Sequence, residues 1–272
     1  MPLNLVGKIA LRVGALAVMA ALAGCATPPP ADDPEAVAEF KQINDPIEPT
    51  NRAVFAFNEG ADKYVIKPVA QGYRYAVPQF GRDRVNDFLE NLKSPLYLAN
   101  DLLQGNMGQA GVTTGRFVMN TTFGVFGIMD VADPAGIPGH KSDFGQTMGV
   151  WGIPDGPYIV LPLLGPSGGR DVVGTGVEWF ADPVDMYLES EHLKWLSWTR
   201  TGVSGVVTRE AYLDTLDDVK RTSLDYYSTL RSLYRQRRAA EVNYGKNPGA
   251  YNPPAKTVMW KIMNEETAEA RK

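Results

Sequence analysis

The residues best placed to carry covalent chemistry are Ser167, Asp185 and His192. Gly165-Pro166-Ser167-Gly168-Gly169 matches G-x-S-x-G, and the acid and histidine follow in the chain order of a serine-hydrolase triad. That chemistry needs its serine on a strained turn between a strand and a helix of a parallel sheet. Here the apolar run over residues 158–164 is broken by Pro162, and no alternation of strands and helices follows, so the motif reads as a decoy. His140 and His192 lie far apart and outside any cluster at metal-ligand spacing, so no metal site is expected. Gly174-Thr175-Gly176 lacks the third glycine and the preceding strand of a dinucleotide fingerprint, and no cofactor is expected either. Gly168-Gly169-Arg170 could hold an anion on backbone N–H groups and a guanidinium; a plain glycine turn is the alternative.

The remaining reactive group is the single cysteine, Cys25. Lys8 and Arg12 precede an apolar core over residues 13–22, and Leu22-Ala23-Gly24-Cys25 forms a small-residue cleavage site. This is the pattern of a bacterial lipoprotein signal, in which the cysteine is acylated on sulfur and becomes the first mature residue. The apolar core is too short to span a hydrocarbon layer of about 30 Å, which needs about 20 residues. Ala26, not Asp, follows the cysteine, which by analogy with lipoprotein sorting points to the outer membrane. Several acyl chains make such an anchor stable.

Composition bounds the rest. With 27 basic and 31 acidic residues among 272, and two of the bases lost with the signal, a uniformly basic nucleic-acid surface is excluded. The 27 Gly and 20 Pro interrupt apolar segments and do not gather in one tract, which predicts short, bent helices joined by tight turns.

These elements must position whatever site exists. Residues 26–36 form a Pro-rich acidic tether. Thr50 is a candidate N-cap opening the folded part. Val85, Phe88, Leu89 and Leu92 mark one buried helical face, and Ser94-Pro95 reads as the start of a second helix ending at Gly105, with a sharp corner between them. Residues 111–132 are apolar or small nearly all round, with one base, Arg116, and no acid before Asp130. They are expected to be a bent pair of helices that is buried or faces lipid. Phe117, Phe123, Phe126 and Ile128 are the membrane-facing candidates. Residues 208–241 read as one long helix, acidic at its start and basic at its end through Arg231, Arg235, Arg237 and Arg238, charges assigned mainly to helix stabilisation and solvation.

Five stretches resemble the MlaA/VacJ outer-membrane lipoproteins: DPIEPTNRAVFAFN from Asp45, KPVAQGYRYAVPQFGRDRVNDFLENLKSP from Lys67, RFVMNTTFGVFGIMDVA from Arg116, DFGQTMGVWGI from Asp143, and GPYIVLPLLGPSGGRD from Gly156. They occur in the family's order, although Thr50 departs from the aromatic usual before the Asn-Arg pair and the match loosens after residue 190. The resemblance implies an all-α, ring-like assembly of short amphipathic helices lying in the outer membrane around a central channel. It further implies a non-enzymatic lipoprotein, facing the periplasm and partly embedded, that removes misplaced phospholipids from the outer leaflet. The implied partners are a trimeric outer-membrane porin and a soluble periplasmic lipid carrier. The expected division is a signal at 1–24, a lipidated tether at 25–44, a helical domain at 45–241 and a hinge with tail helix at 242–272.

Asn51, Arg52, Phe55, Phe57 and Asn58 mix amides, a guanidinium and rings over eight residues, as an amphipathic passage requires. A helix cap with two core aromatics is the alternative. In the tail, Thr257 caps a short segment whose Val258, Met259, Ile262 and Met263 form one apolar face, to be covered by the chain's own domain or by a carrier. Two other functions compete: a porin-binding scaffold without a channel, and a lipid hydrolase using Ser167.

Overall fold

The computed structural model describes residues 43–247. The signal, Cys25, the tether and the tail helix lie outside the described residues. The fold is all-α with one small antiparallel hairpin. The described residues divide into two compact units, those up to Asp62 with Gly156–Gly169, and Lys63–Asp155 with those from Arg170 onward.

In the first unit, helix α1 (Glu48–Ala61) begins with Pro49 in its first turn, and no side chain caps it. The fixed φ of proline suits that position, so Thr50 lies inside the helix and is not its cap. Strands β1 (Tyr158–Leu161) and β2 (Gly165–Gly168) pair antiparallel, with Tyr158 opposite Gly168 and Leu161 opposite Gly165. Pro162 falls just past the last paired residue of β1, where no ladder N–H is required. The turn bends through left-handed Leu163 (φ 63°) and Gly165 (φ 84°).

The second unit holds α2 (Lys67–Ala76), α3 (Gln79–Leu103), α4 (Met107–Thr122), α5 (Phe144–Val150), α6 (Gly169–Ala181, from Arg170), α7 (Pro183–Ser190), α8 (Lys194–Ala211), α9 (Leu213–Thr222) and α10 (Tyr226–Lys246). Between α1 and α2 the chain makes a π-helical turn, Asp62–Ile66. Helix α3 packs along α4, α8 lies against α2, α3 and α7, and α10 lies against α5.

Three helical expectations need correction. The corner at Ser94-Pro95 is absent: α3 runs unbroken with Pro95 inside it. An internal proline costs about 3 kcal/mol, offset here by the long contact with α4, to which Asn91 adds a hydrogen bond to Thr121 Oγ1 at 3.1 Å. Leu89 is buried on α3 as expected, but Phe88 is exposed, and Asn91, Asn100 and Asp101 are buried on this helix.

Residues 111–132 contain one helix, not a bent pair. After α4 the chain turns through consecutive left-handed Val125, Phe126 and Gly127. Gly127 is required there, since a Cβ would lie 2.3 Å from the Asn91 amide. Two side chains of α4 tie the returning strand of chain back. Asn120 Oδ1 accepts from Val131 N and Ala132 N, its Nδ2 donates to Asp130 at 3.0 Å, and Arg116 pairs with Asp130 at 2.6 Å.

The long helix over 208–241 is three helices. Tyr212 separates α8 from α9, and extended Ser223 ends α9. Asp225 then caps α10, accepting from Tyr227 N and Ser228 N, a local signal that overrides the continuous apolar periodicity. Helix α10 continues to Lys246, and Tyr244 is buried.

The distribution of side chains is inverted. Among the described residues, buried polar and charged side chains outnumber buried hydrophobic ones, while Phe, Trp, Leu and Val crowd the surface. No described helix is long and apolar enough to cross a membrane.

Candidate functional site

In the first unit, Asn51 and Asn58 stand two turns apart on one face of α1. Asn51 Nδ2 donates to Tyr158 O (2.9 Å) and Asp45 Oδ1 (2.7 Å), and its Oδ1 accepts from Val160 N (2.9 Å). Asn58 Nδ2 donates to Leu161 O (2.9 Å), and its Oδ1 accepts from Leu163 N (2.8 Å). The two amides act as a substitute strand, satisfying backbone groups of β1 that a two-stranded sheet leaves open. Arg52 pairs with Glu48 at 2.7 Å, Phe55 is half-buried and Phe57 is exposed.

Ser167 lies in β2 opposite Ile159, buried, with its hydroxyl donating weakly to Gly168 O. An extended residue in a two-stranded antiparallel hairpin is not a nucleophile elbow. Asp185 binds Arg200 at 2.7 Å, and no hydrogen bond joins it to His192 among the described residues.

The interior of the second unit is organised around Arg238 on α10. Its guanidinium binds Asp143 (2.5 and 2.6 Å), Asp171 (2.7 and 2.8 Å) and Glu241 (2.9 Å). Burial opposes its charge, but the paired carboxylates raise its pKa well above the usual arginine value. Burial would raise Asp143, yet Arg238 and the Gln146 N–H hold it below its ordinary value. Tyr234 donates to Asp171, and Arg170 pairs with Asp155 (3.1 Å) and Asp171 (3.4 Å). The guanidinium considered for an anion beside Gly168 and Gly169 therefore already has carboxylate partners. Nor are the arginines of α10 simply solvated, since Arg231 and Arg238 are buried. The backbones of α5 and α6 touch here: a Cβ on Gly174 would lie 2.5 Å from Gly145 N.

Helix α3 presents a polar stripe to this interior: Glu90, Lys93, Tyr97, Asn100, Asp101 and, at its C-cap, Gln104, recurring every three or four residues. Asp101 accepts from Thr113 Oγ1 (2.6 Å) and meets His140 Nε2 at 3.0 Å. Thr147 Oγ1 donates to Asn100 Oδ1 (2.8 Å), and Gln104 Nε2 donates to Ser142 Oγ (2.8 Å) and Thr147 Oγ1 (3.0 Å). Glu178 on α6 accepts from Phe144 N at 2.6 Å, and burial pushes its carboxyl up to about 7. Among the described residues no group of three or more His, Cys, Asp or Glu could hold a metal ion.

The outer surface has the opposite character. Phe117, Phe123, Phe126 and Ile128 are all exposed, Phe126 at 76%. Trp179, Phe180, Tyr187, Trp195 and Trp198 form a second exposed set on α6, α7 and α8.

The family model described as MlaA lipoprotein matches residues 43–241. The chain belongs to the MlaA lipoprotein family. The intermembrane phospholipid transport system lipoprotein MlaA of Escherichia coli strain K12 is 34% identical over 257 residues, which is 91% of this chain and 95% of that protein. Its namesake in Haemophilus influenzae is 32% identical over 233 residues, 83% of this chain and 88% of that one. An uncharacterized protein of Rickettsia bellii is 35% identical over 208 residues, 76% and 80% of the two chains. A solved structure described as the structural basis for maintenance of bacterial outer membrane lipid asymmetry matches with a TM-score of 0.65 at 33% identity. It covers 73% of this chain and 99% of that one.

In this MlaA family chain, sequence reasoning missed Asp143, Asp171, Glu178, Lys93 and the central role of Arg238. One signal was available: charged residues at small-residue positions, such as Asp143 before Phe144-Gly145 and Asp171 ahead of Gly174 and Gly176.

Proposed function

We propose that the chain is a non-enzymatic outer-membrane lipoprotein that removes mislocalised phospholipids from the outer leaflet and passes them to a soluble periplasmic carrier. It is anchored through acylated Cys25, faces the periplasm and associates with a trimeric porin. The carrying observation is the inverted distribution of side chains. A lipid with a charged head and apolar tails needs a passage offering both kinds of surface, and an embedded protein turns apolar residues outward. The buried carboxylates, guanidinium and amides of the second unit supply the polar part, and the exposed rings supply a surface for acyl chains. The relatives support the same reading, because those of Escherichia coli and Haemophilus influenzae are named as intermembrane phospholipid transport system lipoproteins. In this reading the short helices lie in the membrane plane around a central channel. Arg52, Phe55 and Phe57 belong to its gate, and Asn51 and Asn58 act through the hairpin that they hold.

The deciding experiment is a deletion strain assayed for phospholipid exposed on the outer leaflet, complemented with the wild type and with Ser167→Ala. Both should restore asymmetry. An unchanged outer leaflet in the deletion strain would sink the transport reading and favour a porin-bound scaffold. Failure of Ser167→Ala alone, at normal protein level, would revive the hydrolase.

A further inference from the structure

The polar stripe of α3 contains one cation that the network does not satisfy. Lys93 is half-buried, and among the described residues its ammonium has neither a carboxylate within ion-pair distance nor a hydrogen-bond acceptor. Its acidic neighbour Glu90 is already engaged, accepting from Lys141 Nζ (2.9 Å) and the Tyr97 hydroxyl (2.9 Å). Burial would raise the Glu90 carboxyl, but Lys141, Lys93 and Tyr97 hold it below its ordinary value, so it is charged and shared. Burial lowers the Lys93 pKa; Lys141 and Arg200 push the same way, against Glu90 and Glu178.

A second unsatisfied donor lies on the helix packed against α3, near enough for its charge to oppose that of Lys93. Arg200 on α8, the helix packed against α3, binds Asp182 (2.5 Å) and Asp185 (2.7 Å), both through Nη2. Its Nη1 is buried without an acceptor. Both carboxylates thus sit on one arm of the guanidinium, and the other arm remains free to donate. Lys141 completes the cluster from the surface, with its side chain 75% exposed. The remaining acid, Glu178, is pushed up to about 7 by burial and is partly neutral near that pH, which leaves Lys93 without full compensation.

A half-buried ammonium among like charges is costly unless an anion joins it. The anion required carries one or two charges and several acceptor oxygens, to take a point-charge donor from one side and a guanidinium N–H from the other. We propose that Lys93 and the free Nη1 arm of Arg200 bind the phosphodiester of a glycerophospholipid headgroup, with Lys141 as an outer contact. The proposal rests on the transport reading and assigns its headgroup site. Free phosphate shares the chemistry but not the setting, because the protein's apolar surfaces suit the acyl chains that accompany a lipid phosphate.

The test uses the full acylated protein in detergent micelles, titrated with phosphatidylglycerol, with diacylglycerol of the same chains, and with inorganic phosphate. For Lys93→Gln, phosphatidylglycerol binding should weaken roughly tenfold or more, as expected for loss of a charge-assisted contact. The thermal midpoint without lipid should stay level or rise, since the substitution relieves like-charge crowding. Lys93→Arg should restore binding, and diacylglycerol should bind equally to wild type and Lys93→Gln. Equal phosphatidylglycerol affinity in wild type and Lys93→Gln overturns the headgroup site and leaves the transport reading intact. Inorganic phosphate binding as tightly as the lipid overturns the lipid source. A wild type that binds no phospholipid at all defeats both.

Discussion

Asn51 and Asn58, seven residues apart on α1, use both polar atoms of each amide on the backbone of the same chain segment, β1 and its turn. Asn51→Ala removes the amide's hydrogen bonds to Tyr158 O and Val160 N in a fully buried place and should cost about 2–4 kcal/mol. Asn58 is only part-buried, water can replace it, and Asn58→Ala should cost about 1 kcal/mol. Thermal unfolding with amide exchange at Val160 and Leu163 checks both. An Asn51→Ala protein whose Val160 amide stays protected would refute the clamp.

Removing the cation at the centre of the second unit takes the guanidinium fork from Asp143 and Asp171. Arg238→Met should destabilise by about 3–5 kcal/mol. Arg238→Lys should recover little, because an ammonium cannot hold Asp143 and Asp171 in a fork. Adding Asp143→Asn and Asp171→Asn to Arg238→Met should regain part of the loss. Denaturant midpoints of the three proteins decide the matter, and additive losses would contradict the coupling.

Glu178 makes stability depend on pH in an unusual direction. Its folded pKa of about 7 exceeds the ordinary 4.5, so the native state binds more protons than the unfolded chain between those values. Its contribution to stability therefore falls as pH rises from about 4.5 through 7. Glu178→Gln keeps an acceptor for Phe144 N and should raise the midpoint at pH 8 by about 2–4 °C for roughly 1 kcal/mol, discounted for the water that reaches the group. At pH 5 the difference should nearly vanish. An equal gain at both pH values would mean that the carboxyl does not titrate there.

Phe126 stands at the exposed left-handed turn after α4. If that turn enters lipid, Phe126→Asp should weaken flotation with vesicles, since a buried charge costs roughly 2.5–3.5 kcal/mol on insertion scales. The thermal midpoint in micelles should change little, because the side chain touches solvent and not core. Unaltered flotation would place the turn outside the membrane.

In the proposed reading, Cys25→Ser removes the sulfur to which the acyl group is attached. The variant should migrate without the lipid mass shift and leave the outer-membrane fractions of a sucrose gradient. Normal outer-membrane density would show that protein contacts alone hold the chain in place.

Local chemistry carried much of the architecture. The short helices are written in Gly and Pro spacing, the α10 start in Asp225, and the exposed tip in the apolar residues from Phe123 to Ile128. Periodicity misled where it could not see breaks: Pro95 looked like a helix start, though packing on α4 carries α3 through it, and three helices read as one because apolar spacing continues across Tyr212 and Ser223. The split of the chain into two units was likewise invisible, since residues 156–169 join residues far earlier in sequence.

What the sequence determined by itself was the helical class and the family, because each depends on residue types at short spacing. The caps Asp143 and Asp182 rest on local chemistry of the same kind, although neither is read as a cap from the sequence above. What only the tertiary structure decided was their second role, Asp143 held by Arg238 and Asp182 by Arg200, across 95 and 18 residues. Charge pairing in an interior depends on which helices meet and on burial that removes water, and neither distance nor dielectric is encoded by local spacing. The same holds for Lys93, whose missing partner becomes visible only when every carboxylate around it has been assigned.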